Sequence, residues 1–393
     1  MNNYPLWYVS KYLQTPGQES QGARGYWLMN EISDRWSQCL ILTSDSSPDW
    51  DRCESHFVFH GDEDFGVCKV LTPPFQASRS WRRILSWLVF ELRVRRLVKG
   101  LSEPPRVVIA SSLSILTVLT GLWMKRHYGC ALVFEVRDIW PMTITEGGKF
   151  RTWHPGIQFL AWVEKRGYRK ADLIVGTMPN LGEHVASVLG YPKEVVCVAM
   201  GVKTPDAPDG DSQMRGCVAE VPFDKFVVAY AGSVGIDNAL DTYFQCAESM
   251  VGESSVHFLV IGEGDLLPIY RRKYGHLRNL TFIAPVPQES LQSLLTRCDL
   301  LYFSTLKTKT WHYGQSLNKL IDYMLSGTPV VGSYSGYPSM INEASSGSFV
   351  EAENPEALRA EILRYQAMDP KTRKEMGTRG RDWLLANRTY SQL

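Results

Sequence analysis

Trp311-His312-Tyr313-Gly314-Gln315-Ser316-Leu317-Asn318-Lys319-Leu320-Ile321-Asp322-Tyr323-Met324-Leu325-Ser326-Gly327-Thr328-Pro329-Val330-Val331-Gly332 is the stretch whose reading decides the fold. Leu317, Leu320, Ile321, Met324 and Leu325 recur at helical spacing and form one apolar face. Ser316 is a fitting N-cap, and Gly314 before it gives a flexible entry. Gly327 and Pro329 end the helix, and Val330-Val331 opens a buried strand. A helix entered from a glycine loop presents free N–H groups and the positive end of its dipole, a ready anion site. Lys319 places a full positive charge in the first turn, where a helix prefers an acid. A phosphate would relieve that conflict. Asn318 and Asp322 lie one turn apart on one edge. An ordinary amphipathic helix has the same spacing, and this stretch alone leaves the two readings level.

Short apolar runs alternate with helical patterns on both sides of it. Upstream, strands are expected at residues 6–9, 39–43, 57–59, 67–71, 107–110, 132–136, 173–175 and 195–199. A Pro/Gly-rich break at 203–222 follows, and the alternation restarts with strands at 226–231, 257–261, 280–283 and 300–303. A polar helical stretch over 354–388 closes the chain. Such alternation predicts parallel βαβ units, hence an α/β protein of two doubly wound domains. Ligands of such sheets lie beyond the carboxyl ends of the strands. The polar and Gly-rich segments at 14–25, 137–147, 232–235, 262–265, 284–287 and 304–319 fall there, which predicts one cleft between the domains.

Composition narrows the classes. The 393 residues suit about two domains, and 44% hydrophobic with 21% charged content is ordinary for a globular chain. A net charge of +1 gives no support to a general polyanion binder, so nucleic acid is not an expected partner. Eight cysteines without a Cys-x-x-Cys pair or metal spacing read as buried thiols in a reducing compartment, with no metal. With no signal-like N-terminus and no spanning apolar run, a cytoplasmic location is expected.

Gly232-Ser233-Val234-Gly235 between a strand and a helix is a close-approach loop of the phosphate-binding kind, or simply a tight turn. Gly262-Glu263-Gly264-Asp265 reads first as a solvated turn. The dinucleotide fingerprint, the P-loop, the Gly-x-Ser-x-Gly elbow and the zinc helix are absent. Residues 79–99 interleave Arg82, Arg83, Arg93, Arg95 and Arg96 with Trp, Leu, Ile and Phe against one acid, Glu91. That composition suits a helix lying on anionic lipid, with a crossover helix bearing solvent-facing arginines as the plainer reading. Arg137-Asp138-Ile139-Trp140-Pro141 ends a buried strand, where Asp138 can sit in a salt bridge or beside a substrate hydroxyl. His154 and His184 are nearest the expected cleft and read as packing or surface histidines.

Together these segments resemble a retaining glycosyltransferase of family 4, with the GT-B fold of two Rossmann-like domains facing each other across a cleft. The resemblance rests on Arg137-Asp138-Ile139-Trp140-Pro141, residues 168–175, Ala231-Gly232-Ser233-Val234-Gly235 and residues 317–331. The variant resembles the N-acetylfucosamine-type transferases of bacterial O-antigen, lipopolysaccharide and capsule polysaccharide assembly.

The resemblance implies an acceptor-binding domain at 1–200, a linker at 201–222 and a nucleotide-sugar domain at 223–375. A helical tail at 376–393 would pack back towards the first domain. It implies Asp322 for the ribose diol and Ser316 and Lys319 for the diphosphate. Gly232, Ser233, Gly235, Gly314 and Asn318 would line the donor site, residues 284–287 would flank the base, and Gly17 would cover the donor. Lys319 and Asp138 are the catalytic candidates, Asp138 being the base if transfer inverts. The five arginines would face acceptor and membrane. The implied donor is a nucleotide sugar, UDP-linked, with no cofactor. The implied acceptor is a polyprenyl-diphosphate-linked saccharide at the inner face of the plasma membrane, where the enzyme would be peripheral. Gly314 stands where the family's first acid would meet the sugar, and the usual Arg/Lys pair after the glycine loop is missing, leaving Lys319, Lys307 or Lys309 to neutralise the diphosphate. Two alternatives remain: a nucleotide-sugar 2-epimerase of the same fold, and a non-catalytic GT-B binding protein.

Overall fold

The computed structural model describes residues 5–13, 23–45, 55–61, 65–75, 81–101, 103–146, 150–203 and 221–393. Gly17 and most of the 201–222 linker lie outside the described residues. The chain divides into two units, Met1–Met200 and Gly201–Gln392.

The first unit runs β1 (Leu6–Val9), α1 (Arg24–Ser33), β2 (Cys39–Ser44), β3 (Phe57–Gly61), β4 (Phe65–Val70), α2 (Trp81–Val98), β5 (Val107–Ser111), α3 (Thr117–Tyr128), β6 (Ala131–Val136), α4 (Met142–Thr145), α5 (Pro155–Lys170), β7 (Leu173–Gly176), α6 (Leu181–Leu189) and β8 (Val195–Cys197). The sheet order is β3-β4-β2-β1-β5-β6-β7-β8. All pairs are parallel except β3–β4, which is an antiparallel edge pair rather than a βαβ unit. So short a connection leaves no room for a crossover.

Alternate residues of the buried strands face opposite layers. Leu6 and Tyr8 pack with Met29 of α1, while Trp7 meets Tyr128 of α3 edge-on at 6.2 Å. α2, α3, α5 and α6 each pack on the next. The first strand, β1, lies between β2 and β5, so the topological switch point falls between the carboxyl ends of β1 and β5.

The second unit runs β9 (Phe226–Ala231), α7 (Asp241–Ser249), β10 (Val256–Ile261), α8 (Leu267–Tyr274), β11 (Leu280–Ile283), α9 (Gln288–Thr296), β12 (Leu300–Ser304), α10 (Asn318–Leu325), β13 (Val330–Ser333), α11 (Met340–Glu343), β14 (Gly347–Val350), α12 (Pro355–Ala367) and α13 (Pro370–Asn387). Its sheet, β11-β10-β9-β12-β13-β14, is parallel throughout, with its switch point between β9 and β12. Phe226, Val228 and Tyr230 join a core with Tyr243, Phe244, Tyr274 and Tyr365. The polar end, read above as one helical stretch, is two helices. Pro370 occupies the first turn of α13, and Asp369 caps it by accepting from the Thr372 N–H at 3.1 Å. α13 packs along α10, where a methyl on Gly377 would lie 2.0 Å from the Gly327 carbonyl oxygen.

Of the six described cysteines, all free, only Cys197 is exposed. Among the described residues no helix is long and apolar enough to cross a membrane.

Candidate functional site

The site in the second unit begins at its switch point. β9 runs into Gly232, whose φ of 142° few side-chain-bearing residues adopt. Gly262 follows β10 with a φ of 140°, and a methyl there would lie 2.1 Å from the Gly232 carbonyl oxygen. The Val234 N–H donates to the Glu263 carbonyl at 2.7 Å. The two turns are therefore in main-chain contact, while Glu263, Gly264 and Asp265 are exposed, as expected of a solvated turn. Gly235 is extended with open space beside it, so only Gly232 of the pair is demanded by the backbone. A cavity of about 290 Å³ lies here, walled by Gly232, Ser233, Gly262 and Glu263, by Pro285 and Val286, and by Leu291 of α9.

Lys319 reaches under this loop from α10. Its Nζ donates to Asn238 Oδ1 at 2.5 Å and to the Tyr230 hydroxyl at 2.9 Å, and it sits 4.5 Å from the centre of the Tyr230 ring. Tyr230 in turn donates to the Ser233 carbonyl at 2.6 Å. Every oxygen in these hydrogen bonds to the ammonium is neutral, and burial lowers its pKa from 10.5 to about 7. An ammonium held by neutral groups in a low-dielectric setting is a strong anion site.

Ser316 does not cap α10. The N-cap is Leu317, in extended conformation and without a side-chain cap bond, so the helix starts one residue later than expected. Upstream, Gly314 turns the chain at a φ of 122°. Asn318 is exposed. Lys307 pairs with Glu351 at 2.9 Å in an exposed salt bridge.

Asp322 is half-buried one turn further along α10. Gln288 Nε2 donates to its Oδ1 at 2.5 Å and Gln292 Nε2 donates to the same atom at 3.2 Å. Burial raises the Asp322 pKa to about 7, and the two amides pull the other way.

Gly314 is buried in the left-handed region, which bears on the missing acid. Restoring one as Gly314→Glu should cost about 1–3 kcal/mol of stability and yield no gain in activity. Urea denaturation beside an activity assay checks this; a stable, more active variant would refute it.

The first unit carries its own constellation at the β1/β5 switch point. Ser112, just past β5, accepts at Oγ from the Arg137 N–H at 2.9 Å, and its carbonyl accepts from Trp140 Nε1 at 2.9 Å. Trp140 meets Trp87 of α2 edge-on at 5.5 Å, and Trp87 Nε1 donates to the Tyr12 hydroxyl at 2.8 Å. The Arg83 guanidinium lies 5.4 Å from the Trp87 ring centre and 5.9 Å from that of Tyr12. Burial raises the Asp138 pKa, opposed by the positive charges of Arg137 and Arg83. Asp138, Arg83 and an aromatic wall thus share one place, although Tyr12 and Ser112 carried no signal of their own in the sequence.

The other arginines divide. Arg93 donates to the Leu71 carbonyl at 2.5 Å and Arg95 Nε donates to Thr120 at 3.0 Å, so these two brace α2 rather than face a ligand or membrane. Arg82 and Arg96 are exposed. Beside them the exposed surface of α2 carries large apolar side chains, with Ile84 57%, Leu85 39%, Leu88 48% and Leu92 66% exposed. His184 is bound to Glu164 at 2.7 Å in the interior and His154 caps α5 through Gly156, so both are structural.

Comparison with known proteins matches residues 23–200 to the glycosyl transferase 4-like domain and residues 225–367 to the glycosyl transferases group 1 domain. No curated protein matches the chain. Sucrose-phosphate synthase from Thermosynechococcus elongatus is similar in structure at a TM-score of 0.74 and 14% identity, covering 99% of this chain and 96% of that one. Anabaena Alr3699/HepE in complex with UDP and glucose is similar at 0.63 and 12% identity, covering 99% and 96%. WaaG, a glycosyltransferase involved in lipopolysaccharide biosynthesis, is similar at 0.61 and 13%, covering 99% and 97%.

Proposed function

Because this chain is a glycosyltransferase of the GT-B fold, built from a glycosyl transferase 4-like domain and a group 1 domain, we propose that it transfers an amino-deoxy hexosyl unit from a UDP-sugar to a lipid-linked saccharide, with retention, in the assembly of a bacterial surface polysaccharide. The observation that carries the reading is Lys319, a half-buried ammonium bonded only to neutral oxygens in the contacts described, next to a cavity large enough for part of a nucleotide. It supplies the charge for the diphosphate without a metal. The UDP in Alr3699/HepE supports the choice of nucleotide. Gly314 offers no side chain to grip a hydroxyl, which favours a sugar with fewer of them.

In the step, the bond from the sugar's anomeric carbon to the phosphate oxygen breaks and the acceptor oxygen bonds to that carbon on the same face. The departing diphosphate, held by Lys319 and backbone N–H groups, takes the acceptor proton. Asp138 in the first unit would hold the acceptor hydroxyl. A thermal-shift panel of nucleotide sugars, followed by transfer to a lipid-linked acceptor and NMR of the product anomer, tests the reading. Stabilisation by no nucleotide sugar would sink it.

The acceptor's lipid is read from α2. Its exposed Ile84, Leu85, Leu88 and Leu92 lie beside the exposed Arg82 and Arg96, a surface suited to the anionic inner face of a membrane. Leu88→Asp with Leu92→Asp should weaken binding to phosphatidylethanolamine–phosphatidylglycerol vesicles by about tenfold or more while leaving nucleotide-sugar binding intact. Equal pelleting of variant and wild type would exclude this surface.

A further inference from the structure

α9 has two duties. Leu291 walls the cavity together with Pro285 and Val286, while Gln288 and Gln292, one helical turn apart, both send their amide N–H groups to Oδ1 of Asp322. Gln292 also donates to the Asp322 main-chain carbonyl at 3.3 Å. Amide donors converging on one oxygen select the ionised carboxylate and fix its rotation. An acid that is to accept from two vicinal hydroxyls needs both properties. The glutamines lie 34 and 30 residues from Asp322 in sequence, so the grip depends on α9 standing against α10.

We propose that Gln288 and Gln292 are positioning residues for the donor's ribose: they favour the ionised form of Asp322 and orient it to accept the ribose hydroxyls, and so set the preference for ribonucleotides over deoxyribonucleotides. The proposal rests on the nucleotide-sugar reading and on Asp322 as the ribose acid. The same helix touches the cavity through Leu291, so seating of the base and aiming of the acid belong to one rigid element.

The test compares UDP with 2′-deoxy-UDP by titration calorimetry on the full chain at one pH. Wild type should bind UDP about tenfold or more tighter than 2′-deoxy-UDP. In Gln288→Leu and Gln292→Leu the ratio should fall to about threefold or less, with 2′-deoxy-UDP affinity within about twofold of wild type. Gln288→Glu, of similar shape but without the amide donor, should do the same if a leucine variant fails to fold. Folded variants that keep the wild-type ratio, or that lose both nucleotides in proportion, overturn the proposal. A wild-type ratio of one overturns it at the ribose premise while UDP binding stands. Failure of wild type to bind either nucleotide overturns it together with the nucleotide-sugar reading.

Discussion

Lys319→Ala is expected to lower kcat/KM for the nucleotide sugar by about 10²–10³-fold, the scale for removing one charge-stabilising donor from a preorganised site. Lys319→Arg should not rescue it. The slot between the Tyr230 hydroxyl and Asn238 Oδ1, 2.9 and 2.5 Å from Nζ, fits a point charge, and a planar fork would displace one of them. The same residue weakens the unliganded fold. Its folded pKa of about 7 lies below the ordinary 10.5, so between these values the unfolded chain binds the proton better. The penalty is complete below about pH 7, shrinks as pH rises and is gone above about pH 10.5. Lys319→Met should therefore gain roughly 2–4 kcal/mol at about pH 6, discounted for partial exposure, and nothing at high pH. Chemical denaturation at the two extremes measures it. A variant less stable than wild type at pH 6 would contradict the account.

Nucleotide-sugar affinity should follow a bell centred near pH 7. Anion binding favours charged Lys319, so affinity falls as pH rises above about 7, by at most about tenfold per pH unit. Diol binding favours ionised Asp322, whose pKa is also raised to about 7, so affinity falls on the acid side as well. Lys319→Ala should flatten the alkaline limb and Asp322→Asn the acid limb. A nucleotide sugar is the proper probe, because the terminal phosphate of free UDP titrates nearby. A wild-type affinity that is level from about pH 5.5 to 8.5 would contradict both assignments.

The alternation of strands and helices was legible because each element writes its own period locally. The glycine turn after β9 was legible because only a residue without a side chain takes that backbone conformation at low cost. The partners of the site residues were not. Tyr230 and Lys319 stand 89 residues apart, and only the sheet order brings them together. Ser316 looked like a cap, but Leu317 is still extended and α10 begins after it, and composition does not report a dihedral. On α2, periodicity gave the helix but not its orientation: Arg93 and Arg95 found acceptors inward, leaving leucines outside. The edge pair β3–β4 could have been found from the short spacing of its strands alone.

The main-chain contact between the Gly232 and Gly262 turns constrains how this site can change over time. A side chain at Gly262 would press on the other turn's carbonyl, so that position is closed to substitution unless both turns move together. Ser233 and Glu263 border the same cavity without that restriction. New donor preferences in such an enzyme should accordingly arise at these two positions, on a frame whose backbone stays as it is.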